Sequence, residues 1–304
     1  MERREIAPLL HRDLARAISA VENGHGSFAA AAESLPAQHR ARPAFVVGVT
    51  GPPGAGKSTV VDRLIECVRA RGETAAVIAV DPSSPFSGGA VLGDRVRMQR
   101  HAGDLGVFIR SMASREAGGG LAPTAQEAVR LADRAGFDVV LVETVGVGQV
   151  ELEVVSVADT IVVVTVPALG DGVQTIKAGL TEIADVFVVN MADRPGANRT
   201  ALDLKHMVRE SGRETPVLQT IASDGTGIDE LFAALCAARG GGGNNAARAV
   251  RFELLRAVRD RAARRAAAFL DDAPARAVFA RLAAHEITRR EAADALLQLV
   301  FTEE

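Results

Sequence analysis

The sequence predicts an α/β fold, a mostly parallel central sheet flanked by helices with helical extensions at both ends, and three observations carry that expectation. From Ala44 onward, short β-branched segments alternate with helical ones, the pattern of parallel strands joined by crossover helices. The first of these segments, residues 45–50, breaks into a glycine-punctuated loop that ends in Lys57-Ser58-Thr59. Before and after the alternating region the chain becomes alanine-rich with helical periodicity.

Strands are expected near 44–50, 75–81, 106–110, 137–143, 159–167, 184–190 and 216–221. Helices are expected near 56–71, 123–135, 172–183, 199–212 and 227–239, with Thr124-x-x-Glu127 a candidate cap for the second. Residues 1–43 read as an N-terminal helical extension with Ile6, Leu9, Leu10, Leu14 and Ile18 roughly on one face. Residues 44–239 form the central domain. The run Arg239-Gly240-Gly241-Gly242-Gly243-Asn244-Asn245 cannot continue a helix, so 240–304 are expected to be a linker followed by a helical arm. In that arm a helix over 246–270, about 37 Å long, lines up Val250, Leu254, Leu255 and Val258. Such a stripe suits contact with another chain; folding back on the central domain is the alternative. Pro274 starts a shorter helix, and Thr288-x-x-Glu291 is a capping box for the last, which is expected to bury Ala292, Leu296, Leu297 and Val300.

At 304 residues and 48% apolar, the chain can bury a sizeable core. A net charge of −3 excludes a face-sized excess of Lys and Arg, which argues against a dedicated nucleic-acid binder. The longest largely apolar run, residues 161–169, is too short to span a bilayer, and the charged start Met1-Glu2-Arg3-Arg4-Glu5 lacks a signal-peptide core, so no membrane association and a cytoplasmic location are expected. Cys67 and Cys236 fall far apart in predicted helices and read as core thiols.

The loop Gly51-Pro52-Pro53-Gly54-Ala55-Gly56-Lys57-Ser58-Thr59 has the G-x-x-x-x-G-K-S spacing of a phosphate-binding loop, which makes the domain a P-loop NTPase. Its glycines let consecutive N–H groups turn toward one anion at the positive end of a helix. Lys57 then reaches the β and γ phosphates, and the Ser58 hydroxyl becomes a ligand of the accompanying Mg2+. A second strand delivers Glu143 before Thr144-Val145-Gly146, the arrangement of a Walker B acid beside the metal followed by a glycine that senses the γ-phosphate. A third strand ends in Asn190-Met191-Ala192-Asp193. Guanine offers a ring N–H and an exocyclic amine to a carboxylate, adenine does not, so Asp193 selects guanine while Asn190 ties neighbouring loops together. The lysine usual between them is Met191 here, whose thioether can still cover the base.

The segment Asp81-Pro82-Ser83-Ser84-Pro85-Phe86-Ser87-Gly88-Gly89, continuing to Asp94-Arg95-Val96-Arg97, joins Glu143-Thr144-Val145-Gly146-Val147-Gly148-Gln149 and Gly170-Asp171-Gly172-Val173-Gln174-Thr175-Ile176-Lys177. Together these resemble the MeaB family of P-loop GTPases, also known as ArgK and, in animals, as the methylmalonic aciduria type A protein. The resemblance covers essentially the whole chain. It implies a homodimeric GTPase that binds GTP/GDP with Mg2+, gates adenosylcobalamin loading, and protects or reactivates a cobalamin-dependent acyl-CoA mutase, chiefly methylmalonyl-CoA mutase. It also implies that Asp81 and Asp94 are carboxylates near the magnesium and that Gln174 and Lys177 belong to a mobile segment that meets the partner. Lys57, Asp94, Glu143 and Lys177 are then the candidate catalytic residues. Ala222 and Ser223 stand where a base-contacting turn is expected, with Ile221 in place of its usual serine.

Two alternatives belong to other classes. A metal-delivery GTPase of the nickel or CobW type would carry a Cys-x-x-Cys or His-rich run, and the six histidines are scattered. An ATP-dependent kinase would need a base for an acceptor hydroxyl, and none is legible.

Overall fold

The structure, a computed structural model, describes residues 4–36, 42–82, 98–114, 123–144, 154–167, 182–239 and 272–301, and isolated positions between 250 and 267. The chain forms two compact units, Met1–Ala249 and Val250–Glu304.

The first unit is built on seven strands: β1 (Phe45–Thr50), β2 (Ala75–Pro82), β3 (Val107–Ser114), β4 (Val139–Thr144), β5 (Thr160–Thr165), β6 (Val186–Val189) and β7 (Val217–Gln219). All pair in parallel, in the order β3-β2-β4-β1-β5-β6-β7. Every residue of β1, β4, β5 and β6 is buried, as expected of parallel strands covered on both faces. The covering helices include α3 (Lys57–Ala70), α4 (Pro123–Arg134), α5 (Ala197–Glu210) and α6 (Ile228–Ala238). The chain leaves β1 toward β2 on one side and later crosses to β5 on the other, so the carboxyl ends of β1, β4 and β5 open into the crevice where doubly wound sheets hold ligands.

The opposite edge is closed by aspartates. Asp138, Asp159 and Asp185 each stand one residue before a strand and accept a neighbouring backbone N–H, from Thr74 (2.8 Å), Val46 (2.9 Å) and Ile161 (2.8 Å). Asp138 also takes the Thr74 hydroxyl (2.8 Å) and an ion pair from Arg4 (2.6 Å).

The N-terminal extension consists of α1 (Pro8–Glu22) and α2 (Phe28–Glu33) and belongs to this unit. Helix α1 packs on α4 through Leu10, Leu14, Ala17, Ile18 and Val21. Leu9, expected on that face, is 64% exposed: it lies one position off the stripe. His11 anchors α1 with Nε2 3.0 Å from the Leu105 carbonyl and its ring edge-on to Phe108 and Phe137. Burial pushes its pKa below the ordinary value, against the pull of Leu105 and Asp104.

Two smaller expectations are corrected, and a third falls largely outside the described residues. Thr124 does not cap α4, because the helix already includes Pro123. Cys67 is buried in α3, donating to Asp229 (3.3 Å) with burial pushing its thiol up to about 11, but Cys236 is exposed on α6 rather than a core thiol. The helix expected at 172–183 lies outside the described residues except for its last two.

The second unit contains α7 (Ala273–Ala283) and α8 (Arg289–Phe301). Helix α7 has Asp272 at its N-cap and a proline in its first turn. Helix α8 opens on the expected capping box: Glu291 Oε2 accepts the Thr288 N–H (2.8 Å) and hydroxyl (2.9 Å), and Thr288 Oγ1 accepts the Glu291 N–H (3.2 Å). Ala292 is buried, while Leu297, expected beside it, is 44% exposed; Val300 has no described side-chain environment. The described positions from 250 to 267 are helical, and Val250, Leu254 and Val258 are all more than half exposed. No helix among the described residues is long and apolar enough to cross a membrane.

Candidate nucleotide site

Strand β1 delivers the phosphate loop. At its end Thr144 Oγ1 donates to Thr50 Oγ1 (2.9 Å), which joins the carboxyl ends of β4 and β1. The backbone then makes two approaches that exclude a side chain. Gly51, at φ 137°, lies so close to β5 that a Cβ would collide with the Val164 carbonyl. Gly56, at φ 82°, is the N-cap of α3, and a Cβ there would collide with Asn190. Between them Pro53 and Gly54 are exposed and Ala55 is buried. Lys57 opens the helix with its side chain folded over the loop, Nζ donating to the carbonyls of Gly51 (2.9 Å) and Pro52 (3.1 Å). An ammonium and a helix N-terminus thus converge on one loop, the arrangement that binds phosphate.

Ser58 and Glu143 meet beneath the loop. Both are buried, and Ser58 Oγ donates to Glu143 Oε1 at 2.7 Å. Thr59 follows on the same helix, half-buried. A hydroxyl and a carboxylate within hydrogen-bond distance are hard oxygen donors suited to Mg2+, which takes one or two protein oxygens and completes its shell with phosphate and water. Asp81 lies at the end of β2 on the same edge of the sheet, one residue beyond Val80, which pairs with Thr144. Its side-chain environment, and all of Asp94, Gly146, Gln174 and Lys177, lie outside the described residues.

The end of β6 closes the base side. Asn190, 2% exposed, uses its whole amide: Nδ2 donates to the Ala55 carbonyl (3.0 Å), while Oδ1 accepts from Thr220 Oγ1 (3.1 Å) and the Ala222 N–H (3.1 Å). One side chain therefore bridges the phosphate loop and the 220–223 loop. Met191 adopts the left-handed φ of 56°, a conformation that costs a methionine about 1–3 kcal/mol. Its thioether methyl lies within van der Waals reach of a Cβ built on Gly56, so Met191 covers the phosphate loop at the end nearest Asn190. Asp193 is exposed at this rim. Ile221 pairs with Thr226 across the turn, leaving Ala222 buried and Ser223 exposed.

Sequence reasoning missed Arg63. On α3, its Nε donates to the Ala222 carbonyl (2.9 Å), Nη2 to the Ser223 carbonyl and Nη1 to Glu66 (2.9 Å). Nothing local marks it, since its partners lie 159 and 160 residues further along the chain. Thr220 and the Thr50–Thr144 pair were missed for the same reason. The residue preceding Arg63, Asp62, holds both Arg100 (2.8 Å) and His101 (2.8 Å). Burial raises the Asp62 carboxyl, but those hydrogen bonds and charges outweigh it and leave the pKa below its ordinary value.

A parallel sheet with this loop, a hydroxyl–carboxylate pair and an Asn-x-x-Asp turn on one edge is the nucleotide-binding core of a P-loop protein. The chain belongs to the MeaB family: residues 14–268 match the family model described as "Methylmalonyl Co-A mutase-associated GTPase MeaB". A Pyrococcus abyssi protein named as a GTPase is 58% identical over 196 residues, which are 62% of this chain and 60% of that protein. A Caulobacter vibrioides protein, also named as a GTPase, is 40% identical over 250 residues, 78% of this chain and 76% of that one. A solved structure described as a LAO/AO transport system kinase superposes with a TM-score of 0.66 at 27% identity, covering 96% of this chain and 95% of that one. The chain spans 60% of the length of the Pyrococcus abyssi relative and 76% of the Caulobacter vibrioides one.

Proposed function

We propose that this chain binds GTP, hydrolyses it to GDP and phosphate, and acts as a chaperone that gates adenosylcobalamin loading on a cobalamin-dependent acyl-CoA mutase, methylmalonyl-CoA mutase first. The observation that carries the nucleotide reading is the Asn190 amide, which locks the phosphate loop to the base-side loop through three hydrogen bonds. The mutase reading is supported by the description of the matching family. A cytoplasmic homodimer is part of the same proposal, and the exposed Val250, Leu254 and Val258 stripe supports a second copy as its occupant.

The loop N–H groups and Lys57 hold the β and γ phosphates, converting a bimolecular attack into a positioned one. Ser58 and Glu143 would hold Mg2+, which would supply positive charge to offset that of the phosphates. Glu143 is kept in place by the Ser58 hydroxyl, and Asp193 accepts the two guanine donors at the rim. Asp81 and Asp94 stand as further acids near the metal, and Gln174 and Lys177 as the residues that a docked mutase orders. No arginine finger is legible in the sequence, and a finger contributes about 10³- to 10⁵-fold in GTPases, so the isolated chain is expected to hydrolyse GTP slowly.

Steady-state GTP hydrolysis with and without purified mutase tests the proposal. The expected result is acceleration by mutase that Lys177→Ala removes while changing the basal rate little. Equal stimulation of wild type and variant removes Lys177 from the mechanism, and no stimulation of either means the partner is wrong.

A further inference from the structure

We infer that Arg63 is a specificity-determining positioning residue: by holding the carbonyls of Ala222 and Ser223 it presents the base-side loop to a purine as a donor, which admits a 6-oxo purine and rejects a 6-amino one. The inference rests on the guanine reading above and concerns a part of the base that Asp193 does not reach.

The guanidinium is used on all three nitrogens, two on loop carbonyls and one on Glu66, whose other oxygen pairs with Arg100 at 2.9 Å. The head group is thus fixed from its far side, and only a planar fork can grip two successive carbonyls while held this way. In a trans peptide the C=O and the following N–H point in opposite directions. Drawing the Ala222 carbonyl to α3 therefore turns the Ser223 N–H away from α3. That N–H has no hydrogen-bond partner among the described residues, whereas the Ala222 N–H is taken by Asn190 and the Asp224 N–H by Ile221.

The chemistry follows from this polarity. The two loop carbonyls are turned toward Arg63 on α3, and the group on the opposite side of the Ala222–Ser223 peptide is an N–H donor. A 6-keto oxygen accepts from such a donor, while a 6-amino group placed there sets donor against donor. Asp193 reads the other edge of the base, its ring N–H and 2-amino group. The two elements therefore make separable contributions: Asp193 distinguishes GDP from IDP through the 2-amino group and both from ADP through the ring N–H, and the loop held by Arg63 adds a second discrimination of both from ADP.

Affinities of the full-length chain for GDP, IDP and ADP, measured by calorimetry for wild type, Arg63→Ala and Arg63→Lys, test this directly. Arg63→Ala is expected to weaken GDP and IDP together by about tenfold, the value of one hydrogen bond to the base, with the GDP-to-IDP ratio and the ADP affinity unchanged. Arg63→Lys keeps the charge and stem but not the fork, and is expected to narrow the preference over ADP in the same direction. A merely structural role for Arg63 would lower all three affinities together, and that result overturns the inference. If Arg63→Ala melts early without nucleotide, Arg63→Lys carries the test, and an unchanged preference over ADP in it overturns the inference. A wild type without preference for GDP over ADP overturns the guanine reading itself, and the inference with it.

Discussion

The two edges of the central sheet solve one problem in opposite ways. Where parallel strands begin and end, backbone groups run out of ladder partners and need others. At the amino edge carboxylates supply them: Asp138, Asp159 and Asp185 each take a neighbouring N–H, and Asp133 takes that of Ala44 (2.6 Å). At the carboxyl edge the corresponding ties are neutral or cationic: the Thr50–Thr144 hydroxyls, the Asn190 amide, Lys57 and Arg63. Aspartates satisfy a backbone well but repel phosphate, and a site for a polyphosphate has to be held together without them. The acids the proposed function uses at that edge are Asp81 and Glu143, assigned to the metal, and Asp193, assigned to guanine.

Breaking the carboxyl edge should abolish binding and leave the fold standing. Lys57→Ala removes the cation over the phosphates, and GDP binding is expected to fall below detection in a calorimetric titration while the circular dichroism spectrum is unchanged. Gly51→Ala is harsher, because its Cβ meets the Val164 backbone at a φ that L residues avoid. It is expected to lower the melting temperature as well as abolish binding.

Breaking the amino edge should do the reverse. Asp138→Ala strands the buried Thr74 N–H and hydroxyl and releases Arg4. The expected loss is about 2–3 kcal/mol in urea denaturation, with GDP affinity altered less than about twofold, since any change there would show that the two edges are coupled.

The smallest effect is a pH dependence confined to the amino edge. His11 is held neutral by burial, with its folded pKa below the ordinary 6.5. The unfolded chain therefore takes up the proton first, so stability is present above about pH 6.5 and declines as pH falls from there toward the folded value. Thermal melts between pH 7.5 and 5.5 should show a decline that His11→Gln flattens, with nucleotide affinity unaffected by the substitution.

The sheet and the phosphate loop were legible because their signals are local. β-branched runs locate the strands, and G-x-x-x-x-G-K-S can be read without knowing the fold. Asn190 was legible in role, as a tie between loops, but its partners Ala55, Thr220 and Ala222 appear only when β1, β6 and β7 are placed on one edge. Arg63 and the strand-opening aspartates were not legible at all. Their meaning lies in pairings across 24 to 160 residues, for which no spacing rule exists. The misplaced apolar residues, Leu9 and Leu297, share another cause: an apolar stripe in a sequence leaves the facing position open by one residue, which turns a helical side chain by about 100°.

The guanine assignment decides the account, and competition between GTP and ATP for the wild-type chain, repeated with Asp193→Asn, tests it most directly. A carboxylate accepting two base donors in a site built around them can discriminate by up to about 10⁴-fold. The expected result is displacement of bound GTP by unlabelled GTP but not by comparable ATP, with that preference sharply reduced in Asp193→Asn, whose amide accepts one donor and opposes the other. Comparable affinities for GTP and ATP in the wild type would contradict it.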